Sequence, residues 1–492
     1  MKLRNLLVGA EPTQPFGNAD IEITSLAYNS SQVGPGTLFF AIRGEKTDGN
    51  RFVADAVERG ARAIASEAIA PADLPPSVTW VQAANARKAM SIAAANFYGH
   101  PAEALKLVAV TGTNGKTTTC YLVDSILRTA GYAAGLFGTI AYRTPRASRI
   151  AKNTTPESLD LQSFLAEIRE GGGTHAVLEA SSHALSMDRV WGCPFAVAVF
   201  TNLTRDHLDY HRTFEGYFAA KRRLFEGTGA GPPAVGVIST DDPYGKRLLG
   251  LAARTLTYGL ENSAEVTTKK FTLAFSGLEF TAQTQEGKLQ VRSPLVGRIN
   301  VYNILAAIGV GIALGIKREA IETGIEQLQR VPGRFERIDL GQPFRVVVDY
   351  AHTDDALRNL LSTARELDHT ARIITVFGCG GDRDRVKRPL MGEAAGNASD
   401  LVVLTSDNPR SEDPLRIIND VAVGLQKTKA KYLVEPDREV AVGRALDEAR
   451  PGDIVLLAGK GHETYQVLGD RTIDFDDREV ARRLLRQRGL GG

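Results

Sequence analysis

Lys116 stands in the run Val108-Ala-Val-Thr-Gly-Thr-Asn-Gly-Lys-Thr-Thr-Thr-Cys120, whose residue types and spacing suit the binding of a polyphosphate. Backbone N–H groups from Gly112 through Thr113, Asn114 and Gly115 to Lys116 can converge on an anion where a loop opens a helix, and the helix dipole adds to the attraction. Lys116 adds a positive charge for the outer phosphates, and the hydroxyl of Thr117 or Thr118 can reach a Mg²⁺ ion. The general phosphate-loop pattern has glycine where Val110 stands, so the match departs there. A plain Gly-Thr-rich turn is the competing reading, and Lys-Thr at the helix start argues against it. A nucleoside triphosphate is the expected ligand.

Further polar groups follow apolar runs. Glu179-Ala-Ser-Ser-His183 succeeds an expected strand, and a carboxylate beside a phosphate loop suits a hard divalent cation. The same Ser and His residues also suit a helix start, so both readings stand. In Thr201-Asn-Leu-Thr-Arg-Asp-His-Leu-Asp-Tyr-His211, His207 and His211 lie four apart, but no third ligand has a zinc spacing. Hydrogen bonding or magnesium-side support near the phosphates fits them better. Lys221, in Tyr217-Phe-Ala-Ala-Lys-Arg-Arg-Leu-Phe225, taken alone is a solvated or snorkelling lysine on an amphipathic helix. Asn303 opens an apolar helix with an amide able to read an adenine edge. Arg334 and Asp349 bring charge from later in the chain, each with a bland alternative as a surface arginine or a strand-end turn.

Three more polar clusters end strands. Gly378-Cys-Gly-Gly-Asp-Arg-Asp384 resembles a dinucleotide fingerprint only in part, because Arg383 takes the place of the last glycine. The charged stretch 383–388 suits carboxylate recognition by guanidinium forks instead. Asp407-Asn408-Pro409-Arg410 and Gly459-Lys-Gly-His-Glu463 end two others. Arg383 and Arg410 can hold carboxylates and Glu463 an ammonium, which makes a pocket for a zwitterion.

The elements that position these groups read as α/β. With 492 residues, the chain is long enough for about three domains. The first block, to residue 103, has expected strands at 37–42, 61–66 and 79–81. The second, 104–331, opens with strand 105–110 and the phosphate loop, holds strands 176–179 and 196–200, and ends with alternating residues 271–280 that read as antiparallel hairpin strands. The third, 332–492, has β-branched runs at 344–348, 373–377, 401–405 and 454–458 separated by helical segments. That alternation predicts a parallel, Rossmann-like sheet with a crevice at the strands' carboxyl ends. Lys and Arg number 59 against 57 Asp and Glu, so charge gives no case for nucleic acid. No leader-like run or membrane span is present, and Cys120, Cys193 and Cys379 are few and unpaired in spacing, so a reduced cytoplasmic protein is expected.

The wording Thr111-Gly-Thr-Asn-Gly-Lys-Thr-Thr118 resembles the ATP loop of the Mur ligases, which join amino acids to a UDP-muramoyl precursor of the bacterial cell wall; folylpolyglutamate synthase is a relative of that family. The segment 202–209 is similar to the family's Asn-Leu-(Ser/Thr)-Arg-Asp-His-Leu-Asp motif. The resemblance implies three domains: a UDP-substrate domain at 1–103, a central ATP-binding P-loop domain at 104–331 and a C-terminal Rossmann-like amino-acid domain at 332–492. It implies Lys116, Glu179, His207 and Lys221 as the catalytic set, with Thr117, Glu179, His207 and Lys221 on the Mg²⁺ side and Lys221 carried as an N-carboxylysine. Gly112 to Thr118, Asn303, Arg334 and Asp349 become ATP contacts.

Ser30, Glu45, Lys46, Thr47, Asn153, Thr154, Thr155, Ser181, Met187 and Arg189 match positions that hold the UDP-muramoyl-dipeptide, with Met187 departing from the glutamine frequent there. Asp354 departs from a frequent proline. Asp407-Asn408-Pro409-Arg410 resembles the motif of the meso-diaminopimelate-adding members, with Arg383, Gly459 and Glu463 completing that pocket. The implied reaction is ATP-dependent ligation through an acyl phosphate by a monomer. The lysine-adding ligase and an ATP-gated binding protein without ligase activity are the alternatives.

Overall fold

The computed structural model describes residues 1–11, 17–44 and 47–491. Three parallel-cored sheets follow one another along the chain. The first has four parallel strands in sequence order, Ser25–Ala27, Thr37–Ala41, Ala61–Ser66 and Thr79–Gln82. The strand Ser25–Ala27 is absent from the sequence reading, because three residues carry no period of their own; its pairing to Thr37–Ala41 creates it. Asn85 caps the helix Ala86–Phe97, its side chain accepting from Lys88 N, and this helix covers the sheet.

The second sheet has twelve strands, seven of them forming a parallel centre. Lys106–Thr111 lies between Phe195–Phe200 and His175–Glu179, with Thr111 opposite Phe200 and Val110 opposite Glu179. Three carboxyl ends therefore meet, and the loop from Gly112, Glu179 and Thr201 leave the sheet side by side. Alternate residues of the central strand serve opposite faces, as a pleated strand requires. Val108 and Val110 pack with Val123, Ile126 and Ile304, whereas Leu107 and Ala109 pack with Phe137, Leu165 and Leu224. The helix Arg298–Ala313 is apolar on nearly every side and is accordingly buried. Antiparallel strands extend both edges, among them the expected hairpin, now Phe271–Ala274, Gly277–Thr284 and Gly287–Ser293.

The third sheet runs Glu336–Ile338, Arg345–Asp349, Ile454–Ala458, Ile373–Phe377, Leu401–Leu404, Lys431–Val434, all parallel except the first. Ile454–Ala458 enters between Arg345–Asp349 and Ile373–Phe377, with Asp349 opposite Ala458. The polar motifs after 349, 377, 404 and 458 thus emerge at one edge. Among the described residues no helix is long and apolar enough to cross a membrane.

Candidate active site between the second and third sheets

The phosphate loop is shaped by two glycines that no other residue replaces without displacement. Gly112 has φ +146° and Gly115 φ +87°, and a Cβ on Gly115 would lie 2.4 Å from Asn303 Oδ1. Gly115 caps the helix Lys116–Thr129, so the loop amides stand at a helix N-terminus. Lys116 Nζ folds back on the loop, donating to Gly112 O at 3.0 Å and Thr113 O at 2.8 Å. Burial lowers its pKa, against the opposing pull of Glu179 and Asp206.

Glu179 is 1 % exposed. Its Oε1 accepts from Thr117 Oγ1 at 2.9 Å and from Thr139 N at 2.9 Å, and its Oε2 accepts from Thr139 Oγ1 at 3.1 Å. Of the two hydroxyls considered, Thr117 is the one on the carboxylate. Ser181 caps the helix Ser182–Ser186, its Oγ accepting from Ala184 N, so the helix-start reading of this segment holds beside the carboxylate reading.

Lys221 is 1 % exposed, which removes the solvated-surface reading. Its Nζ donates to Gly112 O at 2.7 Å, the same carbonyl that Lys116 uses. Burial, and then the Lys116 charge, push the amine well below the ordinary lysine range. His207 Nε2 lies 3.2 Å from Asp206 Oδ2, and its ring meets His183 edge-on at 4.7 Å between centroids. Desolvation in the cleft lowers the His207 pKa, so the imidazole is neutral near pH 7. Asp206, placed only as part of a motif by the sequence, is held ionised with a pKa of about 2: burial raises it, and His207, His352, Lys387 and Lys116 together overcome that.

The third sheet closes the cleft. Arg334 reaches Thr117 Oγ1 at 3.3 Å and lies over the Tyr350 ring. Asp349 accepts from Phe335 N and Ala351 N at 2.7 and 2.8 Å, and burial raises its pKa despite Arg334. Asn303 lines the same cleft with Val296 and Ile299, its Nδ2 donating to Asn300 Oδ1 at 2.9 Å. Gly115, Lys116, Glu179, His207, Asn303, Arg334 and Asp349, far apart in sequence, all line this one cavity.

Thr154 and Ser181 line it as well. Thr155 Oγ1 donates to Glu179 O at 2.6 Å and Asn153 N to Tyr142 OH at 3.0 Å. Arg189 pairs with Glu157 at 2.9 Å, and Arg87 of the first unit approaches the same carboxylate at 3.3 Å. The Met187 sulfur lies 3.7 Å from the Arg189 guanidinium, where it offers only a weak acceptor. Ser30 begins a short 3-10 turn and Thr47 is exposed, and neither lines the cleft. Glu45 and Lys46 lie outside the described residues.

A second cluster occupies the far strand ends of the third sheet. Asn408 Nδ2 donates to Glu463 Oε2 at 2.9 Å, and Gly459 takes φ +111° beside Asp407. Arg410, at φ +53° after Pro409, donates to Gly381 O at 2.7 Å, while Arg383 is exposed nearby. Tyr350 OH, 3.5 Å from Glu463 Oε1, connects this cluster to the cleft. The stretch 383–388 needs one correction. Arg388 has no exposed surface and is consumed by Glu412 at 2.7 Å and Asp420 at 2.9 Å, so it braces the loop and is not available to a ligand.

Sequence reasoning also passed over Lys460, Arg438 and Asp355. Lys460 stood in a quoted motif, and its buried position was the missing information. Arg438 and Asp355 carry no local signal, since their partners come from other segments.

Comparison with known proteins agrees with this architecture. Residues 110–311 match the Mur ligase middle domain, 333–461 the Mur ligase glutamate ligase domain, and 22–98 the Mur ligase family catalytic domain. A UDP-N-acetylmuramoyl-L-alanyl-D-glutamate--2,6-diaminopimelate ligase of Solibacter usitatus is 55% identical over 493 residues, covering 99% of each chain. This chain belongs to the Mur ligase family. A protein of the same name from Geobacter metallireducens is 47% identical and covers 100% of each chain. A solved structure of a ligase of that name superimposes with a TM-score of 0.67 at 32% identity, covering 99% of both chains. The three-domain Mur ligase architecture, with a P-loop ATPase centre and a Rossmann-like C-terminal domain, is therefore that of this chain.

Proposed function

We propose that this Mur ligase adds meso-diaminopimelate to the D-glutamyl γ-carboxylate of UDP-N-acetylmuramoyl-L-alanyl-D-glutamate, consuming ATP and forming ADP and phosphate in cell-wall precursor synthesis. Full-length identity to ligases of that name supports the reaction. The observation that carries the substrate choice is that Tyr350, which lines the phosphate-loop cavity, stands 3.5 Å from Glu463 in a cluster with Asp407, Asn408 and Arg410. Residues 1–103, 104–331 and 332–492 are assigned to the UDP-substrate, ATP and amino acid in turn. The reading includes a monomer acting in the cytoplasm.

A carboxylate is a poor electrophile, so it first attacks the γ-phosphorus of ATP, displacing ADP and forming an acyl phosphate. The diaminopimelate amine then attacks the acyl carbon; the tetrahedral intermediate collapses, phosphate leaves, and the amine gives up a proton. The loop amides and Lys116 bind the phosphates and stabilise charge in the first step. Lys116 leaves its two loop carbonyls to do so. Arg334 and Asp349 bring the third unit to the nucleotide, and Asn303 lies at its base side.

The donors fit Mg²⁺: a buried carboxylate and a hydroxyl, both hard oxygens, face each other at Glu179 and Thr117. They would hold the ion with His207 and a carbamylated Lys221 on its flank, and the ion would neutralise phosphate charge there. Burial favours the neutral amine of Lys221, the form that captures CO₂. Thr154, Thr155, Ser181 and Arg189 hold the dipeptide end, with Arg383, Asp407, Asn408, Pro409, Arg410, Gly459 and Glu463 holding diaminopimelate.

Phosphate release measured with each substrate omitted in turn tests this reading. Release should require ATP, the UDP-muramoyl-dipeptide and an amino acid together. Release with ATP alone at the full rate would reject ligation.

A further inference from the structure

Lys460 has no exposed surface, yet it sits among the groups assigned to the amino acid. Its Nζ lies 3.1 Å from Glu463 Oε2, 3.4 Å from Asn408 Oδ1 and 3.5 Å from Asp407 Oδ1. A buried ammonium is costly in lost hydration unless anions and acceptors surround it, and here two carboxylates and an amide oxygen do. The same contacts settle the Asn408 amide. Its Oδ1 accepts from Lys460 and from Val467 N at 2.9 Å, which leaves Nδ2 as the group facing Glu463.

We propose that Lys460 is a positioning residue for the incoming amino acid, fixing the Glu463 carboxylate for the substrate ammonium and orienting the Asn408 amide as a donor beside it. The proposal rests on the amino-acid reading of this pocket and gives Lys460 a place in substrate affinity, apart from the phosphoryl step. Asp407 raises the cost of a charge on Glu463, because like charges at short range repel. Lys460 is the opposite charge that lies against both carboxylates.

The groups facing Glu463 are Asp407, Lys460 and Asn408 at the strand ends, Tyr350 OH, Tyr465 of the adjoining hairpin and Arg438 behind them. Burial and then Asp407 push the Glu463 carboxyl upward, whereas Lys460 and Asn408 pull it down. Without Lys460 the carboxyl rises further, so Glu463 becomes neutral at a higher pH. Loss of diaminopimelate affinity on acidification should therefore begin at higher pH than in the wild type.

The test is steady-state kinetics of full-length Lys460→Met across pH. Loss of a charge-assisted contact predicts a rise in the KM for diaminopimelate of roughly tenfold to a hundredfold. The KM for ATP should stay within about twofold, and the acid limb of kcat/KM for diaminopimelate should move to higher pH. An unchanged KM and acid limb, or equal losses for ATP and diaminopimelate, would overturn the proposal.

Should Lys460→Met not fold, Lys460→Met/Glu463→Gln, which removes opposite charges together, is compared with Glu463→Gln alone. A further loss under about threefold is expected, since Lys460 acts through Glu463. A further loss of tenfold or more would overturn it. Wild-type enzyme that ligates no diaminopimelate removes the underlying reading as well; wild-type ligation with unchanged Lys460→Met kinetics removes this proposal alone.

Discussion

Asn114 Nδ2 donates to Asp355 Oδ2 at 2.8 Å, tying the phosphate loop to the first turn of the helix Asp354–Leu367 in the third unit. Thr204 Oγ1 reaches the same oxygen at 3.2 Å. The loop that receives the nucleotide is thus also a clasp between two sheets. Asp355→Ala should loosen that clasp, and small-angle scattering of the nucleotide-free protein should show a larger radius of gyration than wild type. Equal radii would mean that other contacts hold the two units together.

Lys116→Ala should slow turnover severely with the fold intact. Its amine bonds only carbonyls of its own loop among the contacts seen, so the core loses nothing. Loss of a preorganised phosphate donor costs on the order of 10²–10³ in rate. Near wild-type ligation, with circular dichroism unchanged, would take the loop out of the mechanism.

Gly115→Ala should weaken ATP binding and stability together. The left-handed backbone alone costs an L-residue roughly 1–2 kcal/mol, and the added methyl meets Asn303 Oδ1. Thermal unfolding and the KM for ATP should both shift; a variant normal in both would show that the loop adapts freely.

Lys221→Ala should lose activity and regain part of it with short-chain carboxylic acids, which can supply the missing oxygens beside Gly112. Bicarbonate should restore wild-type activity after CO₂ depletion. Full activity of Lys221→Ala without additives would reduce Lys221 to a buried packing residue.

The buried pair Arg438–Asp477, 2.7 Å apart and with neither side chain exposed, ties two strand ends to the last helix. Arg438 also donates to Ser406 O at 3.3 Å and Ala458 O at 2.9 Å, the residues just before Asp407 and Gly459. Arg438→Met strands the Asp477 charge and should cost about 3–5 kcal/mol in denaturant unfolding. Arg438→Met/Asp477→Leu should recover much of that loss; equal destabilisation of the single and double variants would place the cost in packing.

The strands 373–377 and 454–458 were legible because β-branched runs bounded by turns are strong local signals. So was the phosphate loop, whose chemistry is contained in consecutive residues. What local pattern did not reveal depends on which strands become neighbours. Ile454–Ala458 inserting beside Ile373–Phe377 is what brings Lys460 to Asp407, and no window of sequence contains that pairing. Arg388 shows the opposite error: a guanidinium in a charged run reads as available until Glu412 and Asp420 are seen to enclose it. Lys221 changed from a surface residue to a buried one for the same reason, since the strand ends that cover it are remote.

The Asp407–Arg410 and Glu463 cluster is proposed to select diaminopimelate, and a competition measures this directly. Wild-type enzyme is given ATP, UDP-N-acetylmuramoyl-L-alanyl-D-glutamate and equal diaminopimelate and lysine, and the ligated products are separated by mass. Diaminopimelate carries one carboxylate more than lysine at its distal end. A guanidinium contact to it contributes roughly 1.5–3 kcal/mol. The diaminopimelate product should therefore exceed the lysine product by about one to two orders of magnitude, and Arg410→Ala should narrow that ratio mainly by slowing the preferred substrate. A lysine product in excess from the wild type, or a ratio that Arg410→Ala leaves unchanged, would contradict the account.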